Sequence, residues 1–525
     1  MNKRTSRREF LKNLVLKSVG TSLAVGGAYS LLGDKAEARR RYKIHEWTGD
    51  NFKVGHRLRD LKTPKFPKYA EKKVDVVILG GGLAGLSTAY FLKDRDFLLL
   101  EQYDDLGGHS RGASFRGIDY SYAAAYYNDQ EGNLAALVSK LGLRPVELNE
   151  SQNAWYWENA FLKEDKDAAH LLFKEMARLK PLTEKLTNQI GLELIDSYKE
   201  NNELKRLDTI RLKSVLNDFD PKFLSMMDSY LMSSLCGGSR EVSALAGLYL
   251  LSDLYTSAYV LPGGNQAIAN GIVECLSSSH SDSLSSGCFV WSVEIKDEGV
   301  SVVYSDRDNR MKRVDANHVV VAIPHMISAR LLENIDDRTK TNLFRFRYGS
   351  YLVANLLLNK RVIADSYDNW FSSPFEFADI TLADTPYLKR ESLKRSDASV
   401  LTVYQPYGAA GIGRALLYKG NKKELSEKIV EQISGVIPEM DGALEEVVLS
   451  RWGHGVAVPT TEYYKRIETL QALEKKNFSF AHSSAQCIPC AEAAVDAAKR
   501  VTNKLNGKAK ASFKKMYFPI TNGIT

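Results

Sequence analysis

Val74-Asp75-Val76-Val77-Ile78-Leu79-Gly80-Gly81-Gly82-Leu83-Ala84-Gly85 is the stretch on which the fold turns. Val74 to Leu79 is short and rich in β-branched residues, which predicts a buried parallel strand. Gly80 to Gly85 follows with G-x-G-x-x-G spacing, and Leu86 to Leu92 reads as helix, with Ser87 and Ala89 small enough for close packing. Phe97 to Leu100 is a second strand, ending in Glu101. Gly80 allows the tight turn, Gly82 lets the backbone approach a pyrophosphate, and Gly85 lets helix and strand touch. The N–H groups at the helix start, at Leu83 and Ala84, suit a diphosphate. Glu101 stands 21 residues after Gly80, where a carboxylate accepts from ribose hydroxyls and repels a 2′-phosphate. The spacing predicts a dinucleotide site that disfavours NADP but does not separate NAD from FAD.

Three further segments favour FAD. Leu106-Gly107-Gly108-His109-Ser110-Arg111-Gly112 sets a second glycine pair beside donor side chains, suited to a second approach to the diphosphate, with His109 a cofactor contact rather than a catalyst. Leu261-Pro262-Gly263-Gly264-Asn265-Gln266 opens a helix that leads to strands Cys288 to Ile295 and Val300 to Tyr304, then to Val319 through Pro324. Phe478 to Ala481 is a strand that leads through a loop into the small-residue helix around Glu492 and Ala493.

In this order the motifs resemble the flavin-containing amine oxidase superfamily, which includes protoporphyrinogen oxidase and phytoene-desaturase-like enzymes, across most of residues 74–505. Tyr351 to Leu356 and Arg451-Trp452-Gly453-His454 bring it nearest to twin-arginine-exported bacterial FAD-dependent oxidoreductases. The resemblance implies an α/β protein with a Rossmann-like FAD-binding domain and a discontinuous α+β substrate domain. It implies FAD, held by the residues above, a backbone contact from Val290 to the adenine, and a final helix aimed at the flavin. Three departures stand out. His482-Ser483 replaces the usual Gly-acid pair, leaving Ser483 as the hydrogen-bonding group. Ala493 and Ala498 replace glycines. The lysine expected near Val353 is missing from Tyr348 to Ala354, the nearest being Lys360.

Outward from this frame, residues 70–130, 257–330 and 445–508 form the expected cofactor domain, and 131–256 with 331–444 the cap over the flavin. Leu224 to Cys236 and Ala244 to Leu254 read as apolar helices, and the serine-rich 277–286 as a surface loop. Ser6-Arg7-Arg8-Glu9-Phe10-Leu11-Lys12 matches a twin-arginine export signal. The apolar run behind it, Leu14 to Leu32, is interrupted by Lys17 and three glycines, too weak for a membrane span. It ends at Ala36-Glu37-Ala38, a small-x-small cleavage pattern. Residues 1–38 are therefore expected to be an address, 39–69 an extended lead-in and 509–525 a tail. The expected product is a soluble periplasmic protein with no stable membrane anchor, whose export partner is the twin-arginine translocase.

Across its 525 residues the chain is 44% hydrophobic and 26% charged, which excludes collagen-like, coiled-coil and wholly disordered chains. The formal charge of +7 has no dense basic footprint, so nucleic acid is not an expected partner. Five cysteines make no disulfide scaffold, and no second Cys/His pair has ligand spacing, so no metal is expected. Cys487-Ile488-Pro489-Cys490 is a C-x-x-C at a helix start, where a thiolate is stabilised. A flavin-coupled dithiol, a disulfide and two unlinked small residues all remain open for it. Trp452 could stack on substrate or flavin, and His454 could act as acid or base near neutral pH. Cys490 is the third catalytic candidate. The leading expectation is an FAD-dependent oxidoreductase taking a hydride from a small amine-like or C–C–H substrate. The alternatives are a desaturase or isomerase of an apolar isoprenoid-like molecule, with 224–254 lining a tunnel, and a non-catalytic flavoprotein scaffold.

Overall fold

A computed structural model describes residues 42–507 apart from 129–130, 149–151, 192, 364–365, 391–395 and 410. The address 1–38 and the tail 509–525 lie outside the described residues. Strand β1 (Lys72–Leu79), helix α1 (Leu83–Phe91) and strand β2 (Phe97–Leu100) form as the sequence predicts. β1 pairs in parallel with β2, Val76 opposite Phe97, and on its other side with β3 (Met311–Val321), Val76 opposite His318. Both faces of β1 are covered, which is why its apolar run is continuous. The sheet continues from β3 through antiparallel Val300–Ser305 and Phe289–Ile295 to Leu332–Glu333. Beyond β2 it is finished by Leu284–Ser285.

That last strand corrects the reading of 277–286 as a loop. The helix Gln266–His280 runs on through the serines, whose Ser277 and Ser278 hydroxyls donate to the carbonyls of Val273 and Cys275. One 3-10 turn then delivers the edge strand.

A second, nine-stranded sheet contains β4 (Tyr348–Leu358), β5 (Asp368–Trp370), β6 (Asp379–Leu382), β7 (Ser399–Pro406) and β8 (Leu444–Ala457), in the order β8-β4-β7-β6-β5. Asn153–Trp157 and Ala160–Leu162 extend it beyond β5. β4 is buried at every position. Two boundaries differ from those drawn on the sequence. Residues 445–457, grouped there with the cofactor domain, are a strand of this second sheet, paired with β4 from Leu444 to Ala457. The lead-in is not simply extended: Lys43–Ile44 and Thr48–Gly49 pair in parallel with β8, and two single-turn helices follow, the first capped by Asn51. Strand β9 (Phe478–Phe480) then returns to the first sheet beside β3, and helix α2 (Ala491–Leu505) packs on α1.

Candidate functional site

The site lies at the carboxyl ends of the parallel strands, where ligands bind in such sheets. There Gly80 N–H donates to Leu100 O (2.9 Å), Ala322 N–H to Leu79 O (2.9 Å) and Ala481 N–H to Val321 O (3.0 Å). Gly80 has φ +100°, and a Cβ on Gly85 would fall 1.9 Å from Gly80 O, so both positions require glycine for the protein's own packing. Gly82 is different. Its φ of −73° suits any residue, and a Cβ there would meet only Gly108 Cα, at 3.9 Å. No side chain caps α1. The space and donors of a helix N-terminus therefore open at Gly82, Leu83 and Ala84, which fits a diphosphate. Glu101 is buried; its Oε2 accepts from Gly81 N–H (2.6 Å) and its Oε1 from Tyr103 N–H (2.9 Å), while burial raises its carboxyl above the usual range.

The second glycine pair meets the first. Gly107 N–H donates to Gly81 O (2.7 Å), and Gly107 bridges Gly82. Ser110 is buried, its N–H on Gly107 O (2.8 Å). Arg111 donates to Gly108 O (2.9 Å) and to Gly49 O of the lead-in (3.0 Å), and its guanidinium lies over Tyr103 and Trp452. Trp452, on β8, is buried, donates its indole N–H to Tyr122 O (3.1 Å) and stands edge-on to His109 at 4.5 Å. Both rings thus lock the glycine loop to the second sheet. Val290 sits at a bulge, where the register with Val300–Ser305 shifts before Ser292.

At the closing end, Cys490 is the N-cap of α2, its Sγ accepting from Ala493 N–H (3.4 Å). Burial, then Glu492, pushes its thiol well above the usual range. Desolvation and the nearby Glu492 thus oppose the thiolate that a helix start favours. No disulfide joins Cys487 and Cys490. Glu492 Oε1 accepts from Asn128 N–H (2.7 Å). Ser483 begins a 3-10 turn, but Ser484 makes the side-chain contacts, to His482 Nδ1 (2.7 Å) and Tyr348 OH (3.3 Å). Tyr348 OH also accepts from His325 N–H (2.9 Å), and the His325 ring lies 5.6 Å from that of His482. His109 is exposed, whereas burial lowers His325 to about 3 and, with Arg414 adding to it, His454 to about 4; His482 is also lowered, by burial and then His325. These imidazoles are neutral at pH 7, so His454 holds no proton to give as an acid there. The sequence reading did not find Ser484, His325 or Tyr348, which lie on three separate elements.

The second sheet presents one continuous face beside this cradle. Trp452 stands opposite Tyr351, Val353 opposite Tyr404, Tyr404 opposite Asp379, and Asp379 opposite Trp370. Directly paired residues point to the same side of a sheet, so these side chains form a row. Tyr351 and Tyr404 stand edge to face at 6.1 Å, and Tyr404 OH donates to Ala123 O (2.8 Å). Ser233, on the helix Pro221–Leu235, donates to Asp379 Oδ1 (2.6 Å) and pairs with Tyr351 OH (2.8 Å). At the far end opens a narrow cavity whose walls include Tyr126, Asn128, Tyr230, Asp253, Asp368 and Trp370. Asn128 joins it to Glu492 on the closing helix. The apolar segments 224–236 and 244–254 bury most of their aliphatic side chains in the core, and from 224–254 Tyr230, Asp253 and Leu254 line this cavity. Lys360 is exposed beyond the end of β4.

A parallel strand, glycine turn and helix, answered by an acid at the second strand's end and closed by the final helix, defines a nucleotide-cofactor protein of flavoprotein type. The chain belongs to the flavin containing amine oxidoreductase family, whose model matches residues 83–506. Membership implies a flavin. Among curated proteins the chain is similar to oxidoreductase PigB of Serratia sp., 22% identical over 364 residues, covering 57% of this chain and 54% of that one. It is also similar to flavin-containing amine oxidase A of Canis lupus familiaris, 35% identical over 78 residues, covering 14% and 15%. The chain thus spans about half the length of PigB and far less of the canine enzyme. Putrescine oxidase bound to putrescine has the same fold, with TM-score 0.67 and 16% identity over 83% of this chain and 99% of that one. So does cyclohexylamine oxidase from Brevibacterium oxydans, with TM-score 0.65 and 16% identity over 82% and 99%.

Proposed function

We propose that the chain is a periplasmic FAD-dependent oxidoreductase that removes a hydride from a small amine-bearing substrate. The observation that carries the reading is the open Gly82 position at an uncapped helix start, which the protein's packing leaves clear and a diphosphate fills. Gly82, Leu83 and Ala84 would hold the diphosphate, Glu101 the ribose, and the Gly107–Arg111 loop the second side. Bound there, the flavin accepts a hydride at N5. The chain's own groups do the rest. Arg111 and Trp452 fix the loop, and His482, Ser484 and Tyr348 form a hydrogen-bonded group beside it. The row from Tyr351 to Trp370 orients the substrate and excludes water. Family membership, and two structural relatives named for amines, support the amine reading. The twin-arginine heptad supports export of a folded, cofactor-loaded protein through the translocase.

Protein exported from cells with an intact twin-arginine pathway is expected to be yellow, to release FAD on denaturation, and to bleach anaerobically with amines. Absence of flavin after purification and reconstitution overturns the FAD reading; a flavin that no amine or other C–H donor bleaches overturns the oxidoreductase. Replacing Arg7 and Arg8 by lysine is expected to leave the protein in the cytoplasm.

A further inference from the structure

The structure assigns a surface that docks on an anionic lipid bilayer, built from the helix Gly411–Lys419 and the lead-in from Phe52 to Lys62. The helix turns an apolar side to solvent. Gly413 and Leu417 are buried, while Ile412, Leu416 and Tyr418 are 47%, 41% and 52% exposed. A Cβ on Gly413 would fall 2.3 Å from Ser350 Oγ and from Tyr407 Cβ, so this side lies close on the second sheet. Arg414 Nη1 donates to Tyr348 O (3.0 Å) and Arg451 Nη1 to Leu417 O (3.3 Å), which holds the apolar side outward. The lead-in continues the surface. The Tyr418 ring meets those of Phe52 (5.3 Å) and His56 (5.8 Å), Arg59 Nη2 donates to His56 Nδ1 (3.0 Å), and Leu61 beyond it is 55% exposed.

Residues 52–62 and 411–423 carry eight lysines and arginines against one acid, Asp60. Their net charge equals the +7 of the entire chain. Neither segment is a dense basic run alone; the ring contacts at Tyr418 join them. Asp60 pairs with Arg59, Glu46 with Lys422 and Glu427 with Lys423. Lys53, Arg57, Lys62, Arg414 and Lys419 have no ion pair among the described residues. Nor do Arg347, whose charge bears on Arg414, and Arg330, whose charge bears on His56.

Contiguous exposure of aliphatic and aromatic side chains marks an interaction surface, and the unpaired cations around it call for an anionic partner. A second copy of the same face brings like charge and is repelled. The phosphate backbone of a nucleic acid leaves Ile412, Leu416 and Leu61 without apolar contact. A bilayer with anionic headgroups takes both kinds of group: the apolar side chains enter the boundary between headgroups and acyl chains, and the lysines and arginines face lipid phosphates. Tyr418, an apolar ring with a polar tip, suits that boundary. The contact is peripheral, since among the described residues no helix is long and apolar enough to cross a membrane.

Flotation of the mature protein with vesicles tests this, using phosphatidylcholine alone and with about one third phosphatidylglycerol. Affinity for the anionic vesicles is expected to be about tenfold or more higher, and to fall as salt rises. Ile412→Ser with Leu416→Ser, which alters no charge, is expected to weaken it about tenfold. Lys53→Gln with Lys419→Gln is expected to weaken it about as much. Leu171→Ser, at a leucine 40% exposed elsewhere, is expected to change nothing. Equal binding to both vesicles, or binding to neither, overturns the proposal on the unaltered protein, whether or not the variants fold. Anionic-vesicle binding that survives both double variants places the contact elsewhere in the chain and overturns it. Heparin bound as tightly as the vesicles replaces lipid by a soluble polyanion, and a dimer dispersed by the Ile412 and Leu416 changes makes the face a contact between copies; either result also overturns it.

Discussion

The cofactor cradle and the second sheet's inner face both bury ionisable side chains, and they do so with opposite chemistry. The cradle gathers the imidazoles of His325 and His482, both lowered chiefly by burial. The sheet face gathers the carboxyls of Asp368 and Asp379, both raised by it. The same physical cause, exclusion of water, disfavours the charged form in each. One region thereby disfavours positive charge and the other negative charge.

The largest effects separate packing from cofactor within the cradle. Gly85→Ala sets a Cβ 1.9 Å from a backbone oxygen, and is expected to cost about 3 kcal/mol or more, or to prevent folding. Gly82→Ala meets nothing nearer than 3.9 Å. It is expected to keep native circular dichroism while losing most of its flavin, measured as flavin per purified chain. Loss of structure in both variants erases the distinction.

The next test sets the regions against each other with pH. A buried imidazole contributes stability that is full above its unfolded value of about 6.5 and lost as pH falls through its folded value. Urea melts are therefore expected to weaken from pH 6.5 towards about 3, where the buried His325 titrates, and His482→Gln is expected to flatten that limb. Asp379 has the opposite sign. Its contribution is full below its unfolded value of about 3.9 and lost as pH rises through about 8. Asp379→Asn is expected to flatten the alkaline limb alone. A variant that flattens the wrong limb breaks the contrast.

The smallest effect falls on the join between the two regions. Trp452→Phe keeps the ring but removes the 3.1 Å bond to Tyr122 O, an expected loss of about 1 kcal/mol in denaturant titration, with flavin retained.

The cradle was legible because its signals are local. Strand, glycines, helix and acid follow one another from Val74 to Glu101, and each residue's backbone demand is written in its own identity. The closing helix was legible for the same reason. The sheet face was not. β5 is only Asp368-Asn369-Trp370 and β6 only Asp379 to Leu382, too short for alternation to declare itself. Their shared face exists through pairing with β7, which no local pattern encodes. The cluster of His325, Tyr348 and Ser484 likewise comes from three segments far apart in sequence. At Cys490 the helix start was legible, but not the desolvation or the influence of Glu492, which raise its thiol. The serine run was misread because composition was weighed without the hydroxyl-to-carbonyl bonds that let a helix carry serines.

The strap at Lys43 to Gly49 has a consequence for the order of events in the cell. Lys43 and Ile44 seat against Glu446 and Val447, and the Gly49 carbonyl takes a hydrogen bond from Arg111. The first of these seats does not exist until the ribosome has made the strand some four hundred residues downstream (His45 pairs with Glu446, 401 positions away). Residues 43–48 are thus among the last parts of the domain to find their place, and under the proposed export their seating marks a finished domain beside the signal.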